Sequence, residues 1–258
     1  MKATPFEFRY RFWILLTIFA LAFTAPWNYA LHLDGAGPNT HVWGQLAIAL
    51  SRSGMNIAAA FRLLLIVGTV LAFAGAALRT WASAYMSTDV VRGGEMRGEA
   101  LVADGPYRFV RNPLYLGSWL NALALSLLMP ASGAIFMLIV FTAYLLRLVL
   151  QEERHLALQL GQRYADYCAH VPRLFPALRP RIAASGTRSN WVRAIVAEIF
   201  LWGTAISFAA VGWQYNAHLL IQCMLVSLGL SLVVRGFLLS GDRPNLENPG
   251  PGDLTRPN

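Results

Sequence analysis

Six stretches of this sequence are long and apolar enough to cross a lipid bilayer, at about 12–31, 59–86, 114–129, 134–150, 194–213 and 219–239. A spanning helix needs about 20 mostly apolar residues. Inside a bilayer its peptide groups must be satisfied within the segment, which favours an all-α, multi-pass transmembrane bundle. Composition agrees. Hydrophobic residues make up 56% of the chain and charged ones 13%, against about 25% charged in an ordinary soluble domain. Too little charge is present for a soluble surface, and too much hydrophobicity for disorder. The net charge of +8 therefore points to cytoplasmic loops and anionic headgroups, and no nucleic-acid partner is expected.

The first stretch follows Arg9 and Arg11 and ends in Trp27 and Tyr29, aromatic residues of the interfacial type. It reads as an uncleaved anchor rather than a signal peptide. With the N-terminus cytoplasmic, the outward loops are 32–58, 130–133 and 214–218, and Arg52 is the only arginine in them. Six spans with both termini inside follow from that bias. One lysine, Lys2, among 21 basic residues hints at a GC-rich bacterial genome and hence a bacterial cytoplasmic membrane. The expected division is an anchor span with its outward loop (1–58), a core (59–180), a linker (181–193), a two-span hairpin (194–240) and a disordered tail (241–258) rich in Pro, Gly and Asn. Two cysteines, Cys168 and Cys223, and five scattered histidines give no metal-ligand spacing, so no metal is expected.

Two cytoplasmic segments concentrate chemistry. The first is Gly105-Pro-Tyr-Arg-Phe-Val-Arg-Asn-Pro-Leu-Tyr-Leu-Gly117, where the third span begins. Pro113 fits the first helical turn, where its missing N–H costs nothing. The remaining free N–H groups there favour an anion or carboxylate. Arg108 and Arg111 add positive charge, Tyr107 and Tyr115 add rings and hydroxyls, and Gly117 leaves room for a ligand or another helix. The second segment runs from Glu152 to Arg173 and begins as a continuation of the fourth span. Helical spacing sets Glu153, Leu156, Leu160, Tyr164 and Tyr167 on one face. Glu152 turns toward His155, Gln159 and Arg163, on a face expected to be solvated.

GPYRFVRNPLYLG followed by EERHLALQLGQRYADYCAHVPRLFP, with the Leu-Arg-Thr-Trp-Ala run at 78–82, resembles the isoprenylcysteine carboxyl methyltransferase and phospholipid methyltransferase family of membrane enzymes. The resemblance covers roughly 60–178 and makes 59–180 the methyltransferase core. It implies a helical membrane enzyme that uses S-adenosylmethionine without a Rossmann domain, and no GxGxxG motif follows a strand pattern here. The family's Arg-His-Pro is Arg111-Asn112-Pro113 in this chain. In the family that histidine lies against the cofactor. Asn112 can donate and accept hydrogen bonds but cannot titrate.

The cofactor implied by the resemblance carries a carboxylate, an ammonium, a sulfonium and an adenine ring. The helix start at Asn112, Pro113 and Leu114, with Arg108 or Arg111, suits the carboxylate. Glu153 suits the ammonium, or orients a substrate, with Glu152 beside it. Tyr107, Tyr115, Tyr164 and Tyr167 suit the ring or the sulfonium. Methyl transfer is an in-line displacement, so alignment in a dry pocket is the main task. A lipophilic carboxylate acceptor, isoprenylcysteine-like or otherwise, needs a cation, for which Arg147, Arg154 and Arg173 are candidates. Glu153, Arg173 and Arg147 are the expected catalytic residues. Phospholipid amine N-methylation, which needs an acidic residue as base, is the alternative. A transporter or scaffold is the alternative of another class; it favours ionisable groups at the midplane, whereas Arg62, Arg79, Arg147, Glu198 and Arg235 lie toward span ends. Between the paired acids, the packed face gives Glu153 the larger expected role: at least ~100-fold for its Gln variant, on the scale of one preorganised electrostatic contact.

Overall fold

A computed structural model of the protein describes residues 4–24, 41–86 and 103–240. The last seven residues of the first expected span (25–31, with Trp27 and Tyr29), the start of the outward loop (32–40), residues 87–102 and the tail from 241 lie outside the described residues. The described chain is helical: α1 Pro5–Arg9, α2 Arg11–Thr24, α3 Val42–Arg52, α4 Ile57–Ala84, α5 Pro113–Ser126, α6 Ala131–Leu160, α7 Gln162–His170, α8 Trp191–Ala197, α9 Ile199–Val211 and α10 Ala217–Ser240. A 3-10 turn, Gly105–Arg108, precedes α5.

Three helices are long and apolar enough to cross a membrane: α4, α6 and the first 18 residues of α10 (Ala217–Val234). α8 and α9 make a fourth if their 71° bend lies within one span. The expected first and third spans contain the shorter helices α2 and α5, of 14 residues each.

Helix α4 is the hub. Asn56 caps it by accepting from the amides of Ala58 and Ala59. It packs against α3, α5, α8 and α9. Its crossing with α5 is close because two glycines meet. A Cβ on Gly75 would lie 2.7 Å from the Gly117 carbonyl oxygen, and one on Gly117 would lie 2.6 Å from Arg79 Cγ. Small residues let helix backbones approach in this way. Of the two uses Gly117 could have, room for a ligand or for a helix, the structure shows the helix. Leu65, Leu128, Met137, Phe141, Leu148 and Phe208 fill the core between the helices.

Two expected connecting segments hold structure of their own. The stretch 32–58 is not simply a loop, because it contains α3. That helix is 11 residues long, too short to span. It buries Trp43 and Ala47 and exposes Leu46 and Ile48, and a search for spans passes over such a helix. The 185–190 stretch is fastened rather than free: the Ser185 and Thr187 amides and the Ser185 hydroxyl donate to the Asp104 carboxylate.

Candidate active site

The two chemistry-bearing segments meet at the buried carboxylate of Glu153, near the end of α6 and 7% exposed. Asn112 Nδ2 donates to its Oε1 at 3.1 Å, and Arg111 Nη1 lies 3.3 Å from the same oxygen. Arg173 binds the other oxygen through Nε at 2.9 Å and Nη2 at 2.8 Å. Asn112 Nδ2 also reaches the Arg173 carbonyl at 3.3 Å. One carboxylate thus clasps the start of α5 and the segment after α7. A buried carboxylate is tolerated only with partners of this kind. The bond from Glu153 raises the Arg173 guanidinium above its ordinary value, against a smaller opposing effect of burial.

Sequence spacing anticipates the packed face but not its geometry. Gly161, at φ +54°, ends α6 and turns the chain into α7, so the face is not one continuous helix stripe. Tyr164, Tyr167 and Val171 are nevertheless buried together, with Leu156 and Leu160 against them. The Tyr167 hydroxyl donates to the Tyr107 carbonyl at 2.8 Å, which ties α7 to the 3-10 turn. Burial pushes both phenols, Tyr107 and Tyr167, well above the ordinary tyrosine range; at Tyr107 the Glu152 carboxylate adds to the effect.

Glu152 is not on a solvated face. It is half-buried, and its Oε1 accepts from the Tyr115 hydroxyl at 2.8 Å. The charges of Arg11, at the start of α2, and of His155 act on it. Among the described residues no ion pair to Glu152 is present, which sets it apart from Glu153.

Beyond α7 the chain runs back along the first motif as a strap. The Arg111 amide donates to the Pro172 carbonyl, the Ala177 amide to Phe109 and the Arg181 amide to Arg108, each at 2.9 Å. Arg108 Nε donates to the Ile182 carbonyl. Asp104 then closes the strap at Ser185 and Thr187. Burial opposes ionisation of Asp104, but those hydrogen bonds prevail and hold its carboxyl well below the usual carboxylate range.

The structure therefore brings Arg111, Asn112, Glu153 and Arg173 to one junction, with Tyr115 and Glu152 paired through α5 and α6. Pro113 is buried at the start of α5, and the Leu114 carbonyl accepts from Arg79. Arg108 is engaged by the strap. Arg147 is engaged elsewhere, by Glu7 of α1 at 2.8 Å, and Arg154 is exposed. Sequence reasoning missed three features: the Asp104 clamp, the approach of Arg11, and an ion pair between Arg79 of α4 and Glu198 at the α8–α9 bend. The available signal for the last was an acid inside an apolar stretch, which is costly unless paired. Beside that bend, a cavity of about 500 Å³ is lined by Leu78, Thr80, Trp81, Trp191, Ile195 and Trp202, with Ala77.

The phospholipid methyltransferase family model matches residues 63–163. A curated relative, methanethiol S-methyltransferase 2 of Bradyrhizobium diazoefficiens, is 36% identical over 90 residues, which is 35% of this chain and 34% of that protein. The chain thus spans about a third of the length of the curated relative it matches. No solved structure matches. The matched segment holds α5, α6, both members of the Tyr115–Glu152 pair and the Arg111–Asn112–Glu153 part of the clasp, while Arg173 and the strap lie beyond it. The apolar helices and the family together make this an integral membrane protein. Through residues 63–163, the chain is similar to the phospholipid methyltransferase family.

Proposed function

We propose that this protein transfers a methyl group from S-adenosylmethionine to a lipophilic acceptor, and that the acceptor atom is a thiol sulfur. The observation that carries the reading is the contrast between two adjacent carboxylates: Glu153 is saturated by Arg111, Asn112 and Arg173, whereas Glu152 is held by the Tyr115 hydroxyl with no ion pair among the described residues. A carboxylate acceptor would need a cation to hold it, but Arg147 and Arg173 are engaged by Glu7 and Glu153, and Arg154 is exposed. A thiol must instead lose a proton as its sulfur attacks, and a carboxylate without a cation partner is the group that takes it.

The residues present fit the cofactor. Arg111 Nε is buried and makes no hydrogen bond among the described residues, so it can donate to a carboxylate without giving up an existing bond. The rings of Tyr107 and Tyr115 are aromatic partners for a cation. S-adenosylmethionine, when bound, supplies an electrophilic methyl group on a sulfonium. Arg111 holds the cofactor's carboxylate through Nε. The clasp at Glu153 fixes Asn112 and the start of α5. Tyr115 orients Glu152, whose carboxylate receives the acceptor's proton. The relative's name, methanethiol S-methyltransferase, supports a sulfur acceptor.

The second reading is N-methylation of a phospholipid amine, favoured by the description of the matched family; it uses Glu152 as base in the same way. The test is transfer of labelled methyl from S-adenosylmethionine by the purified protein, offered a total lipid extract, small apolar thiols and a prenylated cysteine with a free carboxylate. Label in a thioether is the expected result. Label in an amine lipid selects the second reading. An alkali-labile methyl ester overturns both.

A further inference from the structure

Glu198 lies outside the family-matched segment, at the break between α8 and α9. It is 3% exposed. Its Oε2 lies 2.7 Å from Arg79 Nε, and its Oε1 lies 3.0 Å from Arg79 Nη2. The Ser83 hydroxyl donates to the same Oε1 at 2.8 Å. This is a bidentate pair, the form that adds directional restraint to attraction. It directs the remaining terminal nitrogen of Arg79 at α5. Nη1 donates to the Ser118 hydroxyl at 2.6 Å and reaches the Leu114 carbonyl at 3.4 Å. Leu114 and Ser118 flank Tyr115 in the first turns of α5. The guanidinium is therefore a bracket with Glu198 on one side and the helix that carries Asn112 and Tyr115 on the other.

A bundle that needed only stability could fill this place with apolar side chains, because buried ion pairs seldom improve on good packing. What the pair adds is a fixed position. The Gly75–Gly117 contact sets how closely α4 and α5 approach, but a smooth contact between small residues resists sliding and rotation weakly. The Arg79 bonds oppose that sliding at the turn where the motif begins.

We propose that Glu198, acting through Arg79, is a positioning residue that sets the start of α5 and so aligns Tyr115 and Glu152 for methyl transfer. The proposal rests on the reading of function given above. It makes the bent α8–α9 segment part of the catalytic apparatus, although the family motifs end before it.

The test compares Glu198→Gln with the double variant Arg79→Gln/Glu198→Gln. In Glu198→Gln, amide hydrogen exchange at residues 114–118 rises at least ~10-fold while α6 from 131 to 148 is unchanged, as expected for local opening. Its kcat falls about 10- to 100-fold with the KM for S-adenosylmethionine within about 3-fold, the pattern of lost alignment rather than lost binding. The double variant removes both charges of the Arg79–Glu198 pair, so it regains thermal stability; it lacks the bracket, so its kcat stays low. Recovery of kcat in the double variant overturns the proposal, because Glu198 then only neutralises Arg79. Unchanged exchange in Glu198→Gln also overturns it. If the wild-type protein methylates no acceptor, the functional reading fails, and the exchange measurement alone decides whether Glu198 positions α5.

Discussion

Glu153→Gln and Glu152→Gln are near-identical changes to adjacent residues, and the structure predicts opposite consequences. Gln at 153 keeps the shape of the side chain and removes the charge that two guanidinium groups share. Arg111 has a side chain 13% exposed and Arg173 one 44% exposed. Removing one partner of a buried pair costs about 3–5 kcal/mol, and the Arg173 share is discounted because water screens it. An overall cost of about 3 kcal/mol corresponds to a factor of roughly 100 in the equilibrium between the closed and the opened junction. Opening frees α7 as the Tyr164–Tyr167–Val171 cluster leaves its packing. Exchange across 164–170, in protein held in lipid nanodiscs, is expected to accelerate about 100-fold in Glu153→Gln, as opening by that free energy implies. In Glu152→Gln it stays within about 5-fold of wild type, since one half-buried hydrogen bond is worth about 1 kcal/mol or less. Methyl transfer by folded Glu152→Gln is expected to fall at least ~100-fold, the lower end of what a positioned base contributes. If Glu153→Gln exchanges like wild type, the clasp does not hold the junction. If Glu152→Gln retains transfer within about 10-fold, Glu152 is not the base, and the larger role assigned to Glu153 from spacing alone regains its place.

Asn112→Ala removes the amide that links Glu153 to the Arg173 carbonyl and should weaken S-adenosylmethionine binding about 10-fold in calorimetry, on the scale of one charge-assisted hydrogen bond; unchanged affinity would detach Asn112 from the cofactor site. The Asp104 clamp predicts an acid-labile strap. Its carboxyl is held below the ordinary value, so its contribution is complete above an unfolded value near pH 4 and fades as pH falls further. Proteolysis within 181–190 should accelerate as pH drops below about 4 in wild type, and in Asp104→Asn it should be fast at neutral pH; equal rates for the two proteins at pH 7 would refute the clamp. For topology, with both ends placed inside by the arginine bias, single cysteines should label at 131 only from outside and at 98 and 185 only from inside. Outside labelling at 98 would reverse the orientation.

The parts of the site legible in the sequence are those carried by local spacing. Glu153 falls on the packed face because Leu156 and Leu160 follow it at helical intervals within α6, and a motif arginine, Arg111, is among its partners. Pro113 starts a helix for the reason its chemistry gives. The Arg79–Glu198 pair spans 119 positions and the Asp104–Ser185 contact 81, and no local rule selects one arginine or serine over another at such range. The turn at Gly161 was equally hidden, since a glycine in a helical pattern is either tolerated or terminal. Helix α3 escaped because its alternation of buried Trp43 and Ala47 with exposed Leu46 and Ile48 is the signature of a surface-lying helix rather than of a span. The solvated face assigned to Glu152 failed for a different reason. Tyr115 comes from the other motif, and which side of α6 it approaches depends on how α5 and α6 cross.

Asparagine at position 112 has a consequence for how this protein responds to acidity. An imidazole in the clasp would gain and lose a proton in the neutral range, and the closure of the junction would follow it. The amide of Asn112 keeps the same donors at every physiological pH, and the guanidinium groups of Arg111 and Arg173 stay charged throughout. The junction thus contains no imidazole to act as a neutral-range sensor. Between about pH 6 and 8, a rate profile for this protein would then report the ionisation of what it methylates. The same curve measured on a member with histidine at this position would fold the enzyme's own proton into the result.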